Sequence, residues 1–167
     1  MSQQSNQSPQ PNAQRGFSCE WKPMNNHTAP PAGNESIFYP FSKYTWEGVE
    51  TEAYKQEPGN FANIVRNAIV GARGESCHFD LRYFEISEGG FSRFEKHQHE
   101  HVVICVRGRG QVRLGKKVRD LNFLDIVYIS PQTPHQFINE GREPFGFFCI
   151  VDRERDEPQE LDLDNII

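Results

Sequence analysis

Three histidines lie close together in the middle of the chain, at His97, His99 and His101, between the acidic residues Glu95 and Glu100. Imidazole nitrogens and carboxylate oxygens are common protein ligands of divalent transition metals. The β-branched residues that follow the last histidine predict a strand, in which alternate side chains project to the same side. The sequence therefore places several metal-ligating groups on one side of a backbone.

A further histidine, His135, follows the turn Ser130-Pro131-Gln132-Thr133-Pro134 and begins another apolar segment. The two prolines stiffen the turn, so His135 is held at the start of a predicted strand. Mononuclear metal sites are commonly assembled from clustered donors and one distant donor. The working hypothesis is a metal site shared by the two segments. The alternative is a solvated polar loop between strands.

Glycines frame the first segment at a spacing that selects among its donors. Between Gly89 and Gly108 the order is G-x5-E-x-H-x3-H-x6-G, with the three slots at Glu95, His97 and His101. This order resembles the first motif of the cupin family, in which the outer slots more often carry His first and Glu last. Counting from either glycine gives the same register.

The second segment resembles the second cupin motif through Pro131, His135 and Asn139. It departs from that motif at Leu124 and Gln132, where glycine is commoner, and its Pro131–His135 spacing is one residue shorter. The resemblance covers about residues 54–152.

The resemblance implies that Glu95, His97, His101 and His135 bind one divalent transition-metal ion. An N/O ligand set of this kind suits Fe, Mn, Ni, Co, Cu or Zn, and the sequence does not choose among them. The register leaves His99 outside the ligands, next to the site. The alternative for Glu95 is a solvated carboxylate at a strand edge.

Four further residues are candidates for the wall of a pocket. On a regular strand after His101, Cys105 points to the same side as that histidine. Cys149 lies on the last apolar strand, where alternation does not fix its direction. Arg82 and Tyr83 are neighbours on one strand and face opposite ways, so one of them enters the barrel. For both cysteines the alternative is a small buried core residue, and for Arg82 and Tyr83 it is core packing or a surface position.

Short apolar or alternating segments separated by turns predict an all-β protein with little or no helix. They include 61–70, 78–86, 111–114, 117–121, 125–129, 135–139 and 145–151. Ser87-Glu88-Gly89-Gly90 reads as a turn, and Gly115-Lys116 as a two-residue hairpin. The cupin resemblance selects a jelly-roll barrel, also called a double-stranded β-helix. The predicted organisation is a disordered tail at 1–35, a barrel domain at 36–155 and an acidic tail at 156–167.

The resemblance also bears on function. Cupins include oxygenases, isomerases and lyases as well as binding and regulatory domains, and fold alone does not separate them. The first hypothesis is a metal-dependent oxidoreductase of dioxygenase type acting on a small organic substrate in the barrel. The alternatives are a non-catalytic ligand-binding or sensing cupin and a metal-assisted isomerase.

Composition narrows the partners and the location. The 167 residues carry a formal net charge of −5 without a basic block, which argues against nucleic acid and anionic membranes as partners. No signal peptide or spanning segment is evident and the four cysteines are widely spaced, so a cytoplasmic protein with reduced thiols is expected. The aromatic residues of 38–46 would form an exposed apolar patch on a monomer, which predicts a homodimer.

Overall fold

The computed structural model describes residues 35–56 and 59–163, and its regular elements there are all β-strands. The first four are β1 (Phe41–Ser42), β2 (Thr45–Trp46), β3 (Glu52–Ala53) and β4 (Ala62–Val70). They are followed by β5 (Phe79–Phe91), β6 (Glu95–Lys96), β7 (His101–Arg107), β8 (Gly110–Leu114) and β9 (Lys117–Leu121). The last four are β10 (Ile126–Ile129), β11 (His135–Ile138), β12 (Phe145–Asp152) and β13 (Gln159–Glu160). The all-β jelly-roll prediction is confirmed.

Pairing between strands distant in sequence closes most of these elements into a barrel. Eleven strands form one sheet, along which β10, β7, β12, β5, β11, β6 and β13 are successive neighbours. β4 lies on the other edge of β5, with β3 beyond it, and β8 joins β11 to β9. β1 and β2 form a separate hairpin. No helix among the described residues has the length and apolar character needed to cross a membrane.

The barrel interior is built from alternate residues of the long strands. On β7, His101, Val103 and Cys105 are all buried, as expected from the two-residue period of a strand. Phe145, Phe147, Cys149 and Val151 of β12 are also buried in the structure. The interior at one end is apolar, and at the other end it holds the histidines.

The glycines before the central motif do not form the turn that the sequence predicts. β5 continues through Gly89 and Gly90. Its pairing with β4 is interrupted there, because Ile86 pairs with Ile64 and the next paired residue, Phe91, pairs with Ala62. The extra residues form a bulge, and Gly89 has a φ of +68°, which glycine adopts readily. A Cβ on Gly90 would lie 2.8 Å from a backbone oxygen of β4, so close packing also requires glycine there.

The C-terminal segment, predicted as an acidic tail, contains a short strand. β13 pairs with β6, and the backbone N–H of Leu161 donates to the carbonyl of Phe94 over 2.9 Å. Residues 156–163 therefore lie against the barrel. Only 164–167 of this tail, together with residues 1–34 of the predicted N-terminal tail, lie outside the described residues.

Candidate metal centre

His97, His101 and His135 come from three places in the chain and meet at one end of the barrel. His101 begins β7, His135 begins β11, and His97 lies in the loop after β6. The backbone N–H of Gln132 donates to the carbonyl of His97 over 2.7 Å, which joins the two motif loops directly. A potential ligand nitrogen of each ring lies within 4.8 Å of those of the other two.

Hydrogen bonds fix which nitrogen of two rings faces the others. Nδ1 of His97 lies 2.7 Å from the carbonyl oxygen of His99, and Nδ1 of His135 lies 2.9 Å from that of Thr133. Because a carbonyl oxygen can only accept, each Nδ1 carries the proton and Nε2 keeps its lone pair. This is the tautomer in which Nε2 can bind a metal ion.

Two of the three rings have a nitrogen without a hydrogen-bond partner in the part of the chain that the structure describes. Nε2 of His97 and Nε2 of His101 are buried and have no hydrogen-bond partner among the described residues. Buried polar atoms nearly always have a partner, so two unpartnered nitrogens side by side are suited to bind a ligand. Three clustered imidazole nitrogens fit a divalent transition ion of the kind that prefers nitrogen donors.

Burial also keeps these rings neutral. It lowers the pKa of His97 to about 3, with smaller contributions from His99 and His135. Burial likewise lowers the pKa of His135. It also holds the pKa of His101 well below the ordinary value, and the positive charge of Arg82 lowers that pKa further. Neutral imidazole is the form that binds a metal.

His99 lies beside the three rings but has its own partner. Its ring stacks on that of His97 with centroids 3.7 Å apart, and its Nδ1 lies 2.7 Å from Oδ1 of Asp156. Burial alone would raise the pKa of Asp156, but hydrogen bonds from Gln98 and His99 lower it. His97, His99 and Asp156 also lie close enough to hold an ion. A metal in that second position would have to replace the bond between His99 and Asp156.

Glu95 lines the same cavity but is bound to a residue that the sequence did not single out. Its Oε2 lies 2.6 Å from Nζ of Lys55, and both side chains are almost fully buried. On the paired strands β6 and β11, Glu95 lies directly opposite His135. The carboxylate is therefore beside the histidines, and Lys55 neutralises it.

Two of the four predicted pocket residues line the cavity and two do not. Arg82 and Cys149 are cross-strand partners that line the cavity, with Nη2 of Arg82 3.4 Å from the Cys149 sulfur. Cys105 lies deeper in the core, where its sulfur is 3.6 Å from the carbonyl of Gly108. Tyr83 lies on the opposite side of β5, in an edge-to-face contact with Trp46 at a centroid distance of 5.1 Å.

The cavity combines a polar end with apolar walls. The sulfur of Cys149 lies 3.6 Å from Nδ1 of His101, so a thiol, a guanidinium and an imidazole meet at one place. The apolar wall consists of Tyr54, Ile64, Phe84, Phe137 and Phe147. Pro158 of the C-terminal segment also lines the cavity. Such a site suits a small ligand with one polar end.

Sequence reasoning missed Lys55, Asp156 and Pro158. Lys55 lies 40 residues before Glu95 and outside both motifs, and no periodic pattern marks its direction. Asp156 lies in a run of charged residues of both signs, which is usually a solvated segment. In the structure it instead accepts hydrogen bonds from the backbone of Gln98 and His99.

Comparison with known proteins gives consistent results. Residues 82–151 match the family described as the cupin domain. Over 130 residues, 77% of this chain and 82% of the relative, the chain is 40% identical to a 1-methylthio-D-xylulose 5-phosphate methylsulfurylase of Rhodospirillum rubrum.

Solved structures agree with this result. A cupin-2 domain of Rhodospirillum rubrum is 38% identical, with a TM-score of 0.68 over 77% of this chain and 86% of that one. A cupin 2 conserved barrel domain protein of Rhodopseudomonas palustris is 34% identical, with a TM-score of 0.70 over 77% of this chain and 89% of that one.

Proposed function

Because the chain belongs to the cupin family, we propose that it is a metal-dependent enzyme that removes a methylthio group from a small ketose phosphate. The observation that carries the proposal is the thiol of Cys149, which shares a cavity with three metal-competent imidazoles and with Arg82. The 40% identity to a methylsulfurylase over most of both chains supports the same substrate class.

The proposed metal ligands are His97, His101 and His135, with Glu95 as a candidate fourth. A divalent ion at this position would polarise a carbonyl oxygen of the substrate. The aromatic walls exclude water from the reacting atoms, which strengthens electrostatic interactions in the cavity.

Cys149 is the proposed acceptor of the methylthio group. A guanidinium at 3.4 Å stabilises a thiolate more than a thiol, and Nδ1–H of His101 at 3.6 Å can donate a hydrogen bond to the sulfur while Nε2 is left for the metal. The sulfur attacks the methylthio sulfur, and the carbon–sulfur electron pair passes towards the adjacent carbonyl. The thiol proton ends on the released carbon, leaving a methyl disulfide on Cys149.

A small thiol from solution is the co-reactant that completes the cycle. It attacks the disulfide, carries the methylthio group away as a mixed disulfide and restores the Cys149 thiol. No electron or proton is left unaccounted for, because the second thiol supplies the proton that Cys149 regains.

Mass spectrometry of the protein after reaction with a 1-methylthio ketopentose 5-phosphate, without added thiol, tests the proposal. Wild type and the matched Cys105→Ser variant are expected to gain one methylthio group, and Cys149→Ser is expected to gain none. Dethiomethylated product formed at the wild-type rate by Cys149→Ser would overturn the role of the thiol.

The dioxygenase predicted from the sequence is the second candidate. Three neutral imidazoles are a donor set that can bind an oxygen-activating iron ion, and the aromatic walls form a cavity for a small organic substrate. Dioxygen uptake by the iron-loaded protein with small phenols or carboxylic acids would favour it over methylthio transfer. The non-catalytic and isomerase alternatives predict neither a protein adduct nor oxygen uptake.

A further inference from the structure

Lys55 and Glu95 form a buried ion pair at the edge of the proposed metal site. Nζ of Lys55 lies 2.6 Å from Oε2 of Glu95, and the exposed fractions of the two side chains are 5% and 10%. Lys55 comes from the segment between β3 and β4, outside the residues that match the cupin domain. The ring of Tyr54 lies 5.4 Å from the same ammonium and gives it an additional favourable contact.

The position of Glu95 makes the ion pair relevant to metal binding. Its carboxylate lines the cavity that also contains the three histidines, and its backbone lies opposite that of His135. A carboxylate at this place is a suitable fourth ligand. In the structure, the three histidine nitrogens cluster within 4.8 Å of one another, and the Glu95 carboxylate is engaged by the ammonium instead.

Moving Glu95 fully onto a metal ion has an electrostatic cost. It would weaken the ion pair and place a buried ammonium close to a divalent cation. Both effects are unfavourable in an environment that screens charge poorly. Three neutral imidazoles can bind the ion without breaking the pair.

We infer that Lys55 withholds Glu95 from the metal and thereby sets the centre as a three-histidine site with positions left open for substrate. This inference rests on the proposed metal site and adds a residue that determines its ligand number. Lys55 is a positioning residue, since it acts through Glu95. Removing its charge releases the carboxylate, which then becomes the fourth ligand and occupies an open position.

Cobalt(II) titration of purified full-length variants tests the inference, because the absorption spectrum of cobalt reports ligand number independently of activity. The set is wild type, Lys55→Met, Lys55→Gln, Lys55→Arg, Glu95→Gln and the double variant Lys55→Met/Glu95→Gln. Lys96→Met is the matched control. It removes a lysine charge from the residue that follows Glu95 on β6.

Lys55→Met and Lys55→Gln are expected to bind cobalt roughly 10–100-fold more tightly than wild type and to show a spectrum of higher coordination number. Lys55→Arg and Lys96→Met should resemble wild type. The loss of affinity caused by Glu95→Gln should be roughly tenfold larger in the Lys55→Met background than in wild type.

Equal effects of Glu95→Gln in both backgrounds, with unchanged spectra, would overturn the inference and leave the metal site intact. Thermal unfolding identifies any variant that does not fold. If one of Lys55→Met and Lys55→Gln fails to fold, the other is sufficient for the test. Failure of the proposed site itself has a different signature: wild type and Lys55→Met would bind cobalt no better than His101→Ala.

Discussion

The four imidazoles of the site, at His97, His99, His101 and His135, each have a pKa below the ordinary value of 6.5, first because burial disfavours the charged form. In the unfolded chain these rings regain ordinary pKa values. Unfolding therefore takes up protons at mildly acidic pH, and stability increases with pH over that range.

We expect the free energy of unfolding of the metal-free protein to be fully developed above about pH 6.5. It should decrease as the pH falls from there towards the His97 pKa of about 3. Urea titrations at about pH 5 and about pH 7.5 measure this difference. Equal stabilities at the two pH values would contradict the burial argument.

The clustered histidines should differ in their importance for metal binding. His97→Ala and His101→Ala each remove a ring with a buried, unpartnered Nε2, so most of the bound metal should be lost. His99 donates to Asp156 instead, and His99→Ala should cost at most roughly 10–100-fold in affinity. Isothermal titration with Mn(II) or Zn(II) compares them, and equal losses in all three variants would place His99 among the ligands.

At the scale of elements, two departures from the second cupin motif become backbone features of this chain. Leu124 and Gln132 occupy positions where glycine is commoner in the family, and their φ angles are +66° and +61°. This left-handed conformation is unfavourable for a residue with a Cβ. Hydrogen bonds hold both residues in place, to the carbonyl of Cys105 and to that of His97.

Leu124→Gly should therefore stabilise the protein. Relief of the left-handed strain, about 1–2 kcal/mol, exceeds the greater entropy that glycine has in the unfolded chain, about 0.5–1 kcal/mol. The side chain of Leu124 is mostly exposed, so little packing is lost. Denaturant unfolding should show a gain of about 0.5–1 kcal/mol, while Leu124→Ala, which keeps the Cβ, should show none. A loss of stability in the glycine variant would argue against the strain.

Most strands could be predicted from sequence because each one has an apolar or alternating pattern. The segment 117–121 matches β9, and 61–70 differs from β4 by one residue. The segment 87–90 was misread, since glycines indicate a turn equally well when they form a bulge inside a strand.

The candidate site was less predictable than the fold. Spacing found the histidines because the motif is local to two segments. It did not find Lys55 or Asp156, whose partners lie 40 and 57 residues away, because the contacts exist only after the barrel closes. It also did not separate Cys149 from Cys105, since both are buried and only their depth in the barrel differs.

At the scale of the whole molecule, much of the outer face of β5, β12, β7 and β10 is apolar. Strand register aligns two rows across it, Tyr83–Phe148–Ile104–Ile126 and Leu81–Ile150–Val102–Tyr128. The hairpin of β1 and β2 covers part of the first row through Trp46. Ile126 and Tyr128 remain 67% and 59% exposed at the other end.

We expect the chain to form a homodimer that covers this face and the exposed aromatic residues Phe38 and Phe41. The double variant Ile126→Ser/Tyr128→Ser should dissociate to monomers at micromolar concentration, as measured by sedimentation velocity. Val118→Ser, which replaces an exposed apolar residue on β9, is the control and should leave the dimer unchanged. A wild-type monomer at the same concentration would contradict the prediction.

The central claim is that three histidines from separate segments hold one metal ion next to a reactive thiol. Elemental analysis of protein purified without chelator tests it most directly. Wild type and Cys149→Ser should each contain close to one equivalent of a divalent transition metal per chain, and His101→Ala should contain almost none. Wild-type protein that contains no metal, and does not take up Mn(II), Fe(II), Co(II) or Zn(II) when they are supplied, would contradict the account.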